Sequence, residues 1–265
     1  MNRPIAIIIN LPQATDRLQH IDKLFTHFGI NYIIEKGYTI DCVPKGVIAR
    51  YGSPTDPIRL RSIACTQSHV SAWKTFLSTD NEECMIAEDD ILLCRNFDSI
   101  WNNLDIPGDS YAIWKIETAN ATCTIQKRYE RQYNCFSFHQ LYSGHSGTAA
   151  YIINRKTAKF LLSVASDFRA TTDHELFDPL FRSVPMCRTY QAVPALCIQD
   201  SANSNSSTTF HSLIGPGRNP DGNSKINQLR RKYLSPLVTA IVSILISYQG
   251  LRRVKVMHLP LEDKL

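Results

Sequence analysis

No two of the eight cysteines stand at Cys-x-x-Cys spacing, so the usual signatures of a structural zinc site and of a thioredoxin-like redox pair are missing. The opening residues Met1-Asn2-Arg3-Pro4-Ile5 carry no apolar stretch of signal-peptide length and no small-residue cleavage site, so a secretory leader is not expected. Several cysteines, Cys84 and Cys94 among them, lie within apolar runs, where a thiol behaves as a small hydrophobe. Reduced thiols in a cytoplasmic protein follow as the expectation. Charge of either sign is also in short supply: the net charge is +5, too little to argue for a nucleic-acid partner, and none is expected. There is no internal repeat. What remains is a chain of 265 residues with 43% apolar and 20% charged residues, enough to build a sizeable core and to exclude global disorder. That length holds one large α/β domain or two small ones.

Three consecutive carboxylates interrupt one of the apolar runs. Cys84-Met85-Ile86-Ala87 leads into Glu88-Asp89-Asp90, and Ile91-Leu92-Leu93 follows. The flanks predict buried or half-buried strands, so like charges are held close together at a desolvated point. A divalent cation with a taste for oxygen ligands, Mg²⁺ or Mn²⁺, relieves that repulsion, and such ions are commonly shared with substrate phosphates. A solvated acidic turn is the plainer reading of the same triplet.

The elements around it predict an α/β sheet. Residues 5–11 form a nearly continuous β-branched run, Leu18, Ile21, Leu24, Phe25 and Phe28 fall at helical spacing behind a cap in Thr15-Asp16-Arg17, and 30–35 reads as a second strand. Residues 41–62 are loop-like, 63–77 helical, 110–116 a strand, and 117–143 polar and irregular. A strand at 149–153, a helix at 155–164, a helix capped within Thr171-Thr172-Asp173 and a strand at 193–198 complete the pattern. Both Asn10 and the Glu88–Asp90 cluster then lie at the carboxyl ends of strands, where open α/β sheets bind ligands.

The expected organisation is a catalytic domain over 1–214, a Pro/Gly-rich linker over 215–228 and a basic, amphipathic helical tail over 229–265. In the tail, Leu234, Leu237, Val238, Ile241, Leu245 and Tyr248 share a helical face between Arg230-Arg231-Lys232 and Arg252-Arg253. Pro236, Gly250 and several hydroxyl residues make it a poor membrane span. A helix lying on an anionic membrane surface and a helix packed on the protein's own core both fit.

In order, Ile7-Ile8-Ile9-Asn10-Leu11 with Asp16-Arg17, Ala64-Cys65-Thr66-Gln67-Ser68-His69 with Trp73, Ala87-Glu88-Asp89-Asp90, and Gly147 to Leu162 with Asp173 downstream resemble glycosyltransferase family 25, the lipooligosaccharide/lipopolysaccharide biosynthesis galactosyltransferase type. The resemblance covers residues 4–200. It departs at Ile63-Ala64 and at Ala87, neither of which removes a candidate ligand. It implies a GT-A type, Rossmann-like mixed sheet with flanking helices and a nucleotide-sugar donor, most often UDP-galactose. Inversion to a β linkage and a requirement for Mn²⁺ (or Mg²⁺) are implied as well. The acceptor would be a glycan or glycolipid. The tail lies outside the resemblance, and it is the reduced thiols and the basic tail that lead to the expectation of a cytoplasmic protein, peripheral on the inner face of the cytoplasmic membrane.

On that reading Asp90 and Glu88 are the metal ligands, and Asn10, Arg17, Ser68, His69, Glu88 and Asp89 form the nucleotide-sugar site. For Asp89 a capping or sheet-edge role stands beside this, for Arg17 a solvent-facing one, and for His69 a hydrogen-bonded place in the core. Asp173 is the candidate general base, with Glu175 and Asp178 behind it, although Asp at a helix start also serves as a plain cap. His211 is a further candidate metal ligand in a late loop. The rival reading is a catalytically inactive, membrane-surface carbohydrate-binding protein. A metal-dependent phosphohydrolase would need more clustered carboxylates and histidines than the sequence offers.

Overall fold

The β-branched run near the start becomes strand β1 (Ile5–Asn10), with Ala6 and Ile8 sealed on one face and Ile7 and Ile9 on the other. In the computed structural model, residues 4–108, 110–178, 186–203 and 250–262 are described. Helix α1 (Thr15–His27) buries Ile21, Leu24 and Phe25 beneath the first of those faces. Its N-cap is Ala14, not the expected Thr15-Asp16 pair, and no side chain caps it. The Asn10 side-chain amide instead donates to the Ala14 carbonyl at 3.1 Å. Strand β2 (Tyr32–Lys36) runs parallel to β1.

The segment 41–62, expected to be loop, holds helix α2 (Lys45–Arg50) and the first turns of α3 (Pro57–Leu77). Proline begins α3 without breaking it because it stands at the first helical position, where its missing N–H has no partner to lose. Asp56 caps the helix by accepting the Arg59 amide at 3.0 Å. Ala72, Trp73 and Phe76 of α3 cover the second face, against Ile7, Ile9 and the Cys84 and Ile86 side chains of β3 (Glu83–Glu88). Beyond β3 come β4 (Ile91–Leu93), α4 (Phe97–Asn102) and β5 (Ala112–Lys115).

The polar stretch 117–143, expected to be irregular, contains β6 (Glu117–Thr118), β7 (Thr122–Gln126), β8 (Arg131–Gln132) and β9 (Ser137–Gln140). Strands of two to five residues are too short for a hydrophobic period to declare itself. Then follow β10 (Ala150–Asn154), α5 (Arg155–Val164), α6 (Thr172–Phe177), β11 (Arg188–Val193) and β12 (Cys197–Gln199). The single strand expected at 193–198 is thus two strands in two sheets.

The main sheet has the order β2-β1-β3-β10-β5-β11-β9-β8. Its first three strands are parallel, β10 runs antiparallel to both neighbours, and β11 is parallel to β5. A small sheet, β4-β12-β6, stands beside it. Helices α1 and α4 pack on one face of the main sheet and α3, α5 and α6 on the other. This is the expected α/β class, a mixed sheet with flanking helices.

The helical tail expected over 229–265 is corrected at its end. Strand β13 (Leu251–Lys255) pairs antiparallel with β7, and Leu251 and Val256 are buried. A strand satisfies the backbone groups of this segment through the β7 ladder while burying two apolar side chains. The expected linker 215–228, residues 229–249 of the expected helix, and His211 lie outside the described residues. No helix among the described residues is long and apolar enough to cross a membrane.

Candidate functional site

Strands β1 and β3 are parallel neighbours in a register that sets Ile9 against Glu88, so Asn10 and the acidic triplet emerge side by side at two adjacent carboxyl ends. Residues 89 and 90 form a turn, and the three carboxylates part company there. Asp89 turns toward β1. Its Oδ2 accepts the Asn10 amide at 2.8 Å and its Oδ1 accepts Arg17 Nη1 at 2.9 Å. The same guanidinium nitrogen reaches Asp90 Oδ2 at 3.2 Å. Glu88 and Asp90 remain together, because Gln199 Nε2, at the end of β12, donates to Glu88 Oε2 at 3.1 Å and to Asp90 Oδ1 at 3.2 Å.

Exposure ranks the three. The Glu88 side chain is 18% exposed, those of Asp89 and Asp90 only 6% and 5%. Burial, and then the charge of Glu88, pushes Asp90 up to about 7, with Arg17 pulling the other way. Burial also raises Asp89 against the opposing bond from Arg17. Arg17, itself nearly buried, therefore serves the carboxylates in this structure, where the sequence pointed it at phosphate. Asn10 does likewise. Asp90, expected as the leading metal ligand, has both oxygens engaged, as has Glu88, but Glu88 is the more exposed carboxylate. The Glu88–Asp90 pair still offers an all-oxygen donor set of the kind Mn²⁺ or Mg²⁺ takes, with a desolvated like-charge pair for the ion to relieve.

A second group reaches this corner through a glycine loop. Thr148 Oγ1 donates to Glu88 Oε1 at 2.8 Å, and the preceding residue's amide, Gly147 N–H, donates to Asp173 Oδ2 at 3.2 Å. Adjacent residues thus tie the candidate base to the candidate metal carboxylate. Gly147 has φ +95°, and a Cβ there would meet Glu117 Oε1 at 2.5 Å, so any other residue would be strained and would displace Glu117. Beneath it, buried Lys115 donates to the Glu117 carboxylate and to the Gly147 carbonyl. Burial raises Glu117, with Lys115 opposing.

Asp173 stands in the first turn of α6, but the cap position is Thr171, so Asp173 is not the plain cap. It also accepts from the Thr171 hydroxyl and, at 3.0 Å, from the His174 amide. The fallback Glu175 is occupied otherwise, its Oε1 accepting the Arg169 and Ala170 amides at 2.6 and 2.7 Å. Asp178 packs under Gly144, where a Cβ would lie 2.9 Å from its Oδ2. His145 lies in the same loop. It is 3% exposed and neither ring nitrogen has a hydrogen-bond partner among the described residues; burial, then the charge of Lys115, lowers it to about 3.

Of the α3 residues, Ser68 is engaged with backbone groups, and not with the carboxylates, among the described residues. It donates to the Ala64 carbonyl at 2.9 Å and accepts the Tyr38 amide at 2.8 Å, fastening the 38–42 segment. His69 points toward them: Nδ1 meets the Tyr151 hydroxyl at 3.0 Å and Nε2 lies 3.7 Å from Glu88 Oε1. Sequence reasoning missed Gln199, Thr148, Lys115, Glu117 and His145 as parts of this corner. The one sequence signal for any of them was the Gly144-His145-Ser146-Gly147 run, since paired glycines mark close backbone approach.

The chain is 31% identical over 146 residues to the lacto-N-neotetraose biosynthesis glycosyltransferase LgtE of Neisseria meningitidis serogroup B (strain ATCC BAA-335 / MC58), covering 52% of each chain, and so spans about half the length of that relative. It is 24% identical over 261 residues to the lipooligosaccharide biosynthesis protein lex-1 of Haemophilus influenzae (strain ATCC 51907 / DSM 11121 / KW20 / Rd), covering 85% of this chain and 84% of that one. Among solved structures, a glycosyltransferase involved in glycosylation of the major capsid of PBCV-1 aligns at TM-score 0.40 and 13% identity, over 74% of this chain and 93% of that one. The model of glycosyltransferase family 25 (LPS biosynthesis protein) matches residues 4–176, which hold Asn10, Arg17, His69, Glu88–Asp90 and Asp173, and the chain belongs to that family.

Proposed function

We propose that the protein is an inverting glycosyltransferase of lipooligosaccharide assembly that moves a hexose, galactose from UDP-galactose in the first instance, onto a glycan or glycolipid acceptor in β linkage. The observation that carries this reading is the Gly147–Thr148 dipeptide, which holds Asp173 by its amide and Glu88 by its hydroxyl. A transferase needs those two functions at the two ends of one sugar: charge neutralisation at the departing diphosphate and a base at the incoming hydroxyl.

Glu88, backed by Asp90, would hold the divalent cation, and Mn²⁺ (or Mg²⁺) bound there would supply Lewis-acid stabilisation of the leaving UDP. Arg17 and Asn10 hold Asp89 and Asp90 in place, so that Glu88 is presented from a rigid edge. Asp173 takes the proton of the acceptor hydroxyl as its oxygen bonds to the anomeric carbon, while the bond from that carbon to the diphosphate breaks on the opposite face. One displacement inverts the centre. As a user of a UDP-sugar the protein would work in the cytoplasm, and the basic residues 230–232 would bring it to the inner face of an anionic membrane.

A donor screen by thermal shift tests the proposal. UDP-galactose with Mn²⁺ at about 100 times its Kd should add about 2.7 kcal/mol of stability, more than UDP-glucose or UDP-N-acetyl sugars and more than either component alone. Transfer to a lactosyl or glucosyl acceptor should accompany it. No stabilisation by any UDP-sugar, together with glycan binding that a chelator does not alter, would support the inactive carbohydrate-binding reading.

A further inference from the structure

Cys-x-x-Cys is not the only spacing that brings a thiol to a metal. Cys65 and His69 stand at i and i+4 on α3, so their side chains lie on one helix face. That face meets the end of β3. The Cys65 thiol, a His69 ring nitrogen and a Glu88 carboxylate oxygen all lie within 4.8 Å of one another.

His69 supplies the independent observation. It is wholly buried, and its Nε2 is sealed from solvent with no hydrogen-bond partner among the described residues. Buried ring nitrogens are rarely left this way, because desolvation without a replacement partner is costly. Nε2 is 3.7 Å from Glu88 Oε1, too far for a hydrogen bond. A nitrogen and an oxygen each about 2.1 Å from one tetrahedral ion stand about 3.4 Å apart, so the gap is near the span of two ligands around a shared metal. The far side of the ring is oriented as a metal ligand's would be. Nδ1 meets the Tyr151 hydroxyl at 3.0 Å, and that oxygen also accepts the Trp73 indole N–H at 2.8 Å. With Nδ1–H donating to the same oxygen, the Nε2 lone pair is directed at Glu88. Thr148 and Gln199 fix the carboxylate, one hydrogen bond to each oxygen.

We propose that Cys65, His69 and Glu88 form a binding site for a thiophilic divalent cation of the zinc class. One thiolate, one imidazole and one carboxylate suit zinc better than Mn²⁺ or Mg²⁺, which prefer oxygen alone. Three protein donors leave coordination positions for water or phosphate. Binding is a ligand exchange: the cation sheds water, the Cys65 thiol gives its proton to solvent, and no electron is transferred. Because Glu88 also belongs to the proposed donor site, occupancy here withdraws that carboxylate from it. The binding itself does not depend on the transferase reading.

The test uses the full chain, freed of metal and titrated with Co²⁺ as the probe. A thiolate-to-cobalt charge-transfer band in the near ultraviolet should appear and be displaced by Zn²⁺. It should be lost in Cys65→Ser and kept in Cys42→Ser and Cys135→Ser, which alter exposed thiols. No band, or a band that survives Cys65→Ser, overturns the proposal. Should Cys65→Ser fail to fold, alkylation of the unaltered protein decides: Zn²⁺ should slow modification of Cys65 several-fold relative to Cys42 and Cys135, and equal rates with and without Zn²⁺ overturn it. A UDP-sugar thermal shift on the same sample tells failure of this site apart from failure of the transferase reading.

Discussion

Replacing Arg17 with alanine separates two roles for that side chain, anchoring carboxylates or gripping a phosphate. In the structure its Nη1 lies 2.9 Å from Asp89 and 3.2 Å from Asp90, with all three side chains 8% exposed or less. Breaking a buried pair from one side leaves charge uncompensated and costs about 3–5 kcal/mol, against about 0.2–1 kcal/mol for an exposed pair. With a total stability of about 5–15 kcal/mol, Arg17→Ala should lose about a fifth of it or more. At about 2–4 °C per kcal/mol for a chain of this size, Tm falls by roughly 10 °C. The loss also depends on pH, and its sign follows from Asp90. Its folded pKa of about 7 lies above the unfolded value, so the folded state binds the extra proton and this group's contribution to stability declines as pH rises from about 4 to 7. Without the guanidinium both aspartates rise further, so the variant's deficit is larger at pH 8 than at pH 5. Urea denaturation at the two pH values, with m compared to confirm a common unfolding transition, measures it. Arg17→Ala combined with Asp89→Asn should recover part of the loss, because one uncompensated charge is gone. A deficit under about 1 kcal/mol that is equal at both pH values, with a raised KM for donor, would refute the anchoring argument and return Arg17 to the phosphate.

Three further outcomes are expected. Asp173→Asn keeps an oxygen to accept the Gly147 amide, so donor thermal shifts should persist while kcat for transfer falls by about 10²–10⁴; an unchanged kcat would remove Asp173 as the base. Gly147→Ala sets a Cβ 2.5 Å from Glu117 Oε1 at φ +95° and should cost about 1–3 kcal/mol, read as a lower Tm; no change would mean that Glu117 can withdraw. Truncation after residue 249 removes β13 and the burial of Leu251 and Val256, about 1.5–3 kcal/mol each, so the shortened chain should melt well below the full one. A tail serving only as a membrane tether would leave Tm untouched.

Several features were legible in the chain because their cause is local. The two-sided burial of β1 follows from a run of β-branched residues, and the acidic triplet at the end of β3 follows from its apolar flanks. That Asn10 and Glu88 both surface at strand carboxyl ends was legible, but their adjacency was decided by β3 pairing with β1 and not with β2. The loop reading of 41–62 failed because proline was counted as a breaker when position made it an initiator of α3. The reading of 229–265 as helix failed at 251–255 because a short strand is decided by its partner, and β7 lies far away in sequence.

By itself, then, the sequence determined which chemical groups this protein has to spend, an α/β frame to carry them, and the strand ends where they surface. Tertiary structure alone decided how they are used. Gln199 reaches Glu88 across 111 residues and Arg17 reaches Asp89 across 72, and those bonds leave Glu88 outermost while locking its two neighbours away. The same folding brings His69 and Cys65 to Glu88 and Gly147 to Asp173. The physical reason is that a carboxylate's role depends on its desolvation and on the charges beside it, and both are properties of long-range packing that no local pattern of residues encodes.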